Sequence, residues 1–189
     1  EHEYANVPCG IMDQLAVGCS VAGHALLLDC SDLSIRPVPI PEGIAFVVAD
    51  TQVKHALSDG EYRIRREDCE AALQILQKHT FREVTSANLD VHREELGDRL
   101  FRRARHVVTE MARVDSFVDA LAEADTDQIG KLLRASHDSL RDDFEVSCPE
   151  LDHLVETAYA FASKCNLIGT RMTGGGFGGS TISLVHKDD

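Results

Sequence analysis

The 189-residue sequence has no C-x-x-C pair, no N-x-S/T acceptor and no H-x-H or H-E-x-x-H pair. A zinc site of familiar spacing is therefore excluded. No apolar run approaches the ~20 residues that a membrane-spanning helix needs. A basic-plus-apolar leader is lacking at the N-terminus, as are internal repeats, low-complexity tracts and heptads. Cations are scarce too: 19 Lys and Arg stand against 32 Asp and Glu, for a net charge of −13. That balance argues against a phosphate-backbone binder and against docking on anionic lipid, so neither nucleic acid nor membrane is expected as a partner.

What is present is globular. Hydrophobic residues make up 43% and charged residues 27%. A chain of this length buries roughly 70% of its unfolded surface. The six cysteines (Cys9, Cys19, Cys30, Cys69, Cys148 and Cys165) are sparse and sit in apolar patterns. Reduced thiols in a cytoplasmic protein are the expected reading. The chain opens Glu1-His2-Glu3 without an initiator methionine and stops just after an apolar strand-like run, so a longer parent is expected.

Periodicity gives a coarse order of elements. A short apolar helix is expected over 11–17, with Asp13 and Gln14 inside it. Two pairing strands follow over 24–29 and 34–40. Pro37, Pro39, Pro41 and Gly43 then mark a boundary at 41–43. A buried strand follows over 44–49. The middle is helical: a helix over about 61–78, an amphipathic one over 100–111, another opening at Ser116, and one over about 127–140. Along 99–106 the arginines Arg99, Arg102, Arg103 and Arg105, with His106, fall on the polar arc, which reads as a solvated face. Ser147-Cys148-Pro149-Glu150 reads as a capping box opening a helix with Leu151, Leu154, Val155, Ala158 and Phe161 on its buried stripe. Strand, glycine loop and strand close the chain. Helices segregated from strands make the fold class α+β.

Three features could carry chemistry. Thr173-Gly174-Gly175-Gly176-Phe177-Gly178-Gly179-Ser180 can take positive φ almost anywhere and can turn backbone N–H groups onto an anion. It reads equally as a flexible hairpin turn. Its G-x-G-x-x-G spacing precedes a β-branched strand rather than a helix, so it is no dinucleotide fingerprint, and no Lys-Ser/Thr follows as in a Walker A loop. Asp13, among apolar neighbours in Gly10-Ile11-Met12-Asp13-Gln14-Leu15, is either a base or metal ligand, or the wet side of a helix. Tyr62, in the loop-to-helix stretch 58–66, either meets a ligand or is a half-buried residue with a wet tip. Ser136-His137-Asp138 spells a triad, but neighbours on a helix splay apart, so a structural role is expected.

Five stretches together resemble the GHMP family of small-molecule kinases. They are Pro8-Cys9-Gly10-Ile11-Met12-Asp13-Gln14, Gly23-His24-Ala25-Leu26-Leu27-Leu28-Asp29-Cys30, Glu61-Tyr62-x-x-Arg65-Arg66, Ser136-His137 through Arg141-Asp142-Asp143-Phe144-Glu145-Val146, and Arg171-Met172-Thr173-Gly174-Gly175-Gly176-Phe177-Gly178-Gly179. They keep the family's order and span nearly the whole chain. Within the family the likeness is to the galactose-phosphorylating branch rather than to mevalonate or homoserine kinases.

The resemblance implies ATP-dependent phosphorylation of D-galactose at its C1 hydroxyl, with Mg2+, in a cytoplasmic protein that is monomeric at full length. It implies that residues 1–42 are a remnant of an N-terminal kinase domain. Residues 43–189 would be a ferredoxin-like C-terminal domain lacking its last elements. Asp13 would be the catalytic base and also hydrogen-bond the sugar. Gly10 would offer a backbone contact, and Tyr62 a hydroxyl, to galactose. Gly174, Gly175, Gly176, Gly178 and Gly179 would close on the nucleotide phosphates. No metal ligand is implied within these residues. The family's first motif, with its sugar-gripping arginine, and its second, a Gly/Ser-rich phosphate loop, do not occur here. The chain alone is therefore expected to be inactive. Other readings on the same scaffold are a catalytically silent galactose and ATP sensor, or a kinase of N-acetylgalactosamine or arabinose.

Overall fold

The computed structural model describes residues 10–54 and 58–187. Among the described residues two antiparallel sheets and six α-helices follow in the order α1 (Met12–Cys19), β1 (His24–Leu28), β2 (Ile35–Pro39), β3 (Ile44–Lys54), α2 (Ser58–Ile75), α3 (Ser86–Val91), α4 (Arg93–Glu123), α5 (Thr126–Asp142), α6 (Pro149–Ala160), β4 (Leu167–Thr173) and β5 (Gly178–His186). β1 and β2 form a hairpin in which His24 faces Pro39 and Leu28 faces Ile35. β3, β5 and β4 form a second sheet in that order. The α+β class follows from α5 and α6 covering this sheet.

Why these residues form these elements is mostly a matter of apolar spacing. In α5, Ile129, Leu133 and Leu140 recur at helical intervals and are buried. Asp125 caps the helix by accepting the Gln128 N–H at 2.9 Å. Gly130 and Gly169 let α5 lie directly on β4: a Cβ at Gly169 would stand 2.8 Å from the Cα of Gly130. One core joins Val38 of the hairpin to Ile44, Leu121, Ile129, Leu133 and Leu184. A second, made by α2, α3 and α4, holds Ala72, Leu76, Leu89, Leu96, Phe101 and Ala104. A third, beside the glycine loop, holds Leu140, Val146, Cys148, Leu151 and Met172.

Three local expectations are corrected. Ser116 does not open a helix; it lies inside α4, which runs on from Arg93 past a non-helical Gly97, and its hydroxyl donates to Ala112 O. No capping box forms at 147–150. Pro149 occupies the first turn and Cys148 is the N-cap, while the Ser147 hydroxyl donates to Asp152 Oδ1 at 2.5 Å. The 99–106 arc is a solvated face only in part: Arg99 is exposed, but Arg103 is 2% exposed and His106 6%. β3 also runs five residues beyond the expected strand, with a register shift between Asp50 and Lys54 where Gln52 takes φ +57.

Candidate functional site

The glycine loop joins β4 to β5, and the arrangement around it is built from four chain segments. Gly174 and Gly176 have φ of +81 and +86. Gly176 is required twice over. Its φ lies in the left-handed region, and a Cβ there would stand 2.2 Å from Val146 O. That carbonyl accepts the Phe177 N–H at 2.8 Å, so the loop is docked on residue 146 rather than loose in solvent. On the other side, Thr51 of β3 donates its hydroxyl to Gly179 O at 2.7 Å, and Lys54 pairs in register with Gly178. Among the described residues the N–H groups of Gly174, Gly175 and Gly176 donate to no protein acceptor. Gly174 and Gly175 are exposed. Uncommitted backbone donors in a glycine turn are what an anion needs.

The seat of this loop is a turn over 142–147, and the arginines of the misread arc hold it. Arg103 donates to Asp143 O and to Glu145 Oε2, each at 2.5 Å. Arg102 donates to Asp142 O at 2.9 Å and also bonds the Glu145 carboxylate. Arg105 meets both oxygens of the Asp143 carboxylate. Hydrogen bonds from Arg103 hold the Glu145 carboxyl below its ordinary pKa, with Arg102 adding to the effect. Glu145 itself sits at φ +53, in the left-handed region that few non-glycine residues adopt. His106 stacks on Phe144 with ring centroids 4.4 Å apart, and its Nδ1 lies 3.0 Å from Ser139 Oγ.

From the helix side, Arg65 of α2 donates through Nε to Phe144 O and through Nη2 to Glu145 O, both at 2.7 Å. Its guanidinium lies 5.5 Å from the centroid of the Phe177 ring. Tyr62 precedes Arg65 by three residues on α2. The start of α2 and the glycine loop are thus brought to one place. The Tyr62 side chain lies outside what the structure describes.

Asp13 is carried by α1, where it is exposed, and α1 packs on β1. Among the described residues the structure gives Asp13 no hydrogen bond or ion pair, and none joins it to the loop. Gly10 precedes α1 and is exposed. The apparent triad splays apart as expected. Ser136 Oγ donates to Glu110 at 2.5 Å, and Asp138 pairs with Arg134 and Arg141. His137 Nδ1 accepts the Met172 N–H at 3.3 Å, with Nε2 3.3 Å from Asp152 Oδ1. Burial holds the His137 pKa below its ordinary value, so the ring is neutral.

A cavity of about 230 Å3 lies elsewhere, between the β1–β2 hairpin and helices α4 and α5. Leu26, Leu27, Phe117 and Leu121 line it, and Glu110, Arg113 and Arg171 pair at its wall. Burial pushes the Glu110 pKa up, but hydrogen bonds from Ser136 and Arg113 outweigh it and hold the group ionised. No candidate site residue lines this cavity.

The docked glycine turn on an α+β frame defines a class. Residues 117–189 match the family model for the GHMP kinases C terminal. Along the whole chain the similarity is to galactokinases. It is 49% identical to a galactokinase of Chloroflexus aggregans, over 100% of this chain and 49% of that protein. It is 45% identical to one of Homo sapiens, over 98% of this chain and 47% of that protein. The solved structure of Lactococcus lactis galactokinase complexed with galactose is 36% identical, with a TM-score of 0.89 over 98% of this chain and 48% of that one. The chain therefore spans about half the length of the curated relatives it matches.

Proposed function

We propose that the chain supplies the C-terminal part of a galactokinase active site, transferring the γ-phosphoryl group of ATP to the C1 hydroxyl of D-galactose to give galactose 1-phosphate. The observation that carries this reading is the docked glycine loop with its uncommitted N–H groups, held against the same turn as the start of α2. The likeness to galactokinases along the chain supports galactose as the substrate.

In this reading Gly174, Gly175, Gly176, Gly178 and Gly179 border the ATP phosphates, and Tyr62 and the Gly10 backbone contact the sugar. Asp13 accepts the proton of the C1 hydroxyl as the phosphoryl group arrives. Its exposure and freedom from internal partners among the described residues leave its oxygens open to a sugar hydroxyl. Phosphoryl transfer asks the protein mainly for positioning and charge stabilisation, and a rigidly seated loop supplies the first. Among the described residues no group of three or more His, Cys, Asp or Glu could hold a metal ion. The Mg2+ expected with ATP would be held mainly by the nucleotide phosphates and water, with one or two carboxylates at most. No described helix is long and apolar enough to cross a membrane.

ADP release with galactose and Mg-ATP tests this. At the length of its relatives the protein should turn over, and Asp13→Asn should lower the rate by about 10²–10⁴ without moving the unfolding midpoint. The 189-residue chain alone should stay at background. Full activity in Asp13→Asn would remove that residue as the base.

A further inference from the structure

Four guanidinium groups grip the 142–147 turn, but they come from different places. Arg102, Arg103 and Arg105 all belong to α4. Arg65 alone among the four belongs to α2. The apolar anchoring of α2 lies at its far end, where Ala72, Leu73, Ile75 and Leu76 enter the helical core. At the near end, residues 63 and 64 are exposed, while Arg65 is 8% exposed and bonds two consecutive carbonyls of the turn. One residue on, Val146 O receives the glycine loop, and Arg65 itself overlies the Phe177 ring.

We propose that Arg65 is a positioning residue that ties the Tyr62-bearing turn of α2 to the seat of the glycine loop, fixing the spacing between the sugar and phosphate ends of the site. The inference rests on the reading of the site given above. The geometry suits arginine specifically. Its planar fork donates from Nε and Nη2 to adjacent carbonyls at once, whereas a lysine ammonium is a single point donor on a flexible stem. Glu61, which meets Nη1 at 3.2 Å, restrains the remaining arm of the fork. The turn keeps its three α4 arginines when Arg65 is removed, so the fold should survive the change.

Steady-state kinetics at the relatives' full length tests this. Arg65→Gln should raise the galactose KM and lower kcat, together by about ten- to a hundredfold in kcat/KM, because small misplacements of reacting groups have effects of that size. Its unfolding midpoint should stay close to that of the unsubstituted protein. Arg65→Lys should recover only part of the loss. Arg63→Gln removes the same charge from the exposed side of α2 and should change neither constant. On a Tyr62→Phe background, Arg65→Gln should add little further to the galactose KM, since its effect passes through that tyrosine. Unchanged kinetics in Arg65→Gln, or full additivity with Tyr62→Phe, would overturn the inference. If the unsubstituted protein phosphorylates no galactose, the functional reading itself fails. The coupling is then read from amide exchange, where Arg65→Gln should speed exchange in both 58–64 and 174–179; no change in either segment overturns it.

Discussion

The opening helix region and the glycine-loop region are held in place by different means. In the first region α1 buries none of its residues, and Ile11, Met12, Val17 and Val21 stand exposed. In the second, the glycine loop is fixed by a turn that four arginines brace, and that turn rests on a core containing Leu151 and Met172, both fully buried. Asp13, the residue proposed to handle the proton, sits on the weakly supported side. The loop proposed to meet phosphate sits on the braced side. The contrast teaches that this chain builds the geometry of its glycine loop internally, whereas the Asp13 helix draws little rigidity from the described residues.

Four substitutions can break or sharpen that contrast. The largest effect is expected at Gly176. Gly176→Val places a branched side chain at φ +86 against Val146 O, and should destabilise the chain by roughly 4 kcal/mol in urea unfolding. A loss below about 1 kcal/mol would mean the loop is not docked as described.

Next comes His106, whose pKa burial pulls from 6.5 down to about 4. A folded-state pKa lowered in a histidine means the unfolded chain binds the extra proton first. Stability is then full above about pH 6.5 and declines as pH falls toward 4, by up to about 3 kcal/mol. His106→Gln should flatten much of that slope in denaturant midpoints taken across pH 4–7. His137, shifted the same way by burial, adds to the slope, as do the Glu110 and Glu145 carboxyls toward pH 4, both held below their ordinary pKa. A slope unchanged by His106→Gln contradicts the burial of that ring.

Ser147→Ala removes the hydrogen bond to Asp152 and should lower stability by about 1 kcal/mol. The smallest effect belongs to the other region. Val17 is 88% exposed, so Val17→Ser should stay within about 0.5 kcal/mol of the unsubstituted chain. A larger loss would show that α1 is packed more firmly than the contrast allows.

Much of the fold was legible because apolar spacing is local. The hairpin, α5, α6 and the final strands follow from it, as does the glycine turn itself. The brace was not legible. A helical wheel sorts Arg102, Arg103 and Arg105 by polarity, and polarity alone does not distinguish water from a polypeptide turn that arrives forty residues later. A signal existed in the matching acids Asp143 and Glu145, which offer a charge complement to that arc. The capping box failed for a narrower reason. Pro149 fits the first helical position, which makes Cys148 the N-cap and frees Ser147 to reach Asp152. Of the candidate site residues, Arg65 was seen only as part of a motif, because its partners are carbonyls, which carry no side-chain signature in a sequence.

The seam between Gly130 and Gly169 has an evolutionary consequence. Helix and strand meet there through bare Cα atoms, so there is nothing to trim when one side grows. A methyl group gained at Gly130 meets the Ile168 carbonyl at 2.2 Å, and one gained at Gly169 meets the Gly130 Cα at 2.8 Å as well as Leu133 Cδ1 at 3.0 Å, so trimming Leu133 still leaves backbone atoms that no substitution removes. The two sites therefore have no compensatory path open to them, and drift should be arrested at both while the side chains around them remain free to exchange volume.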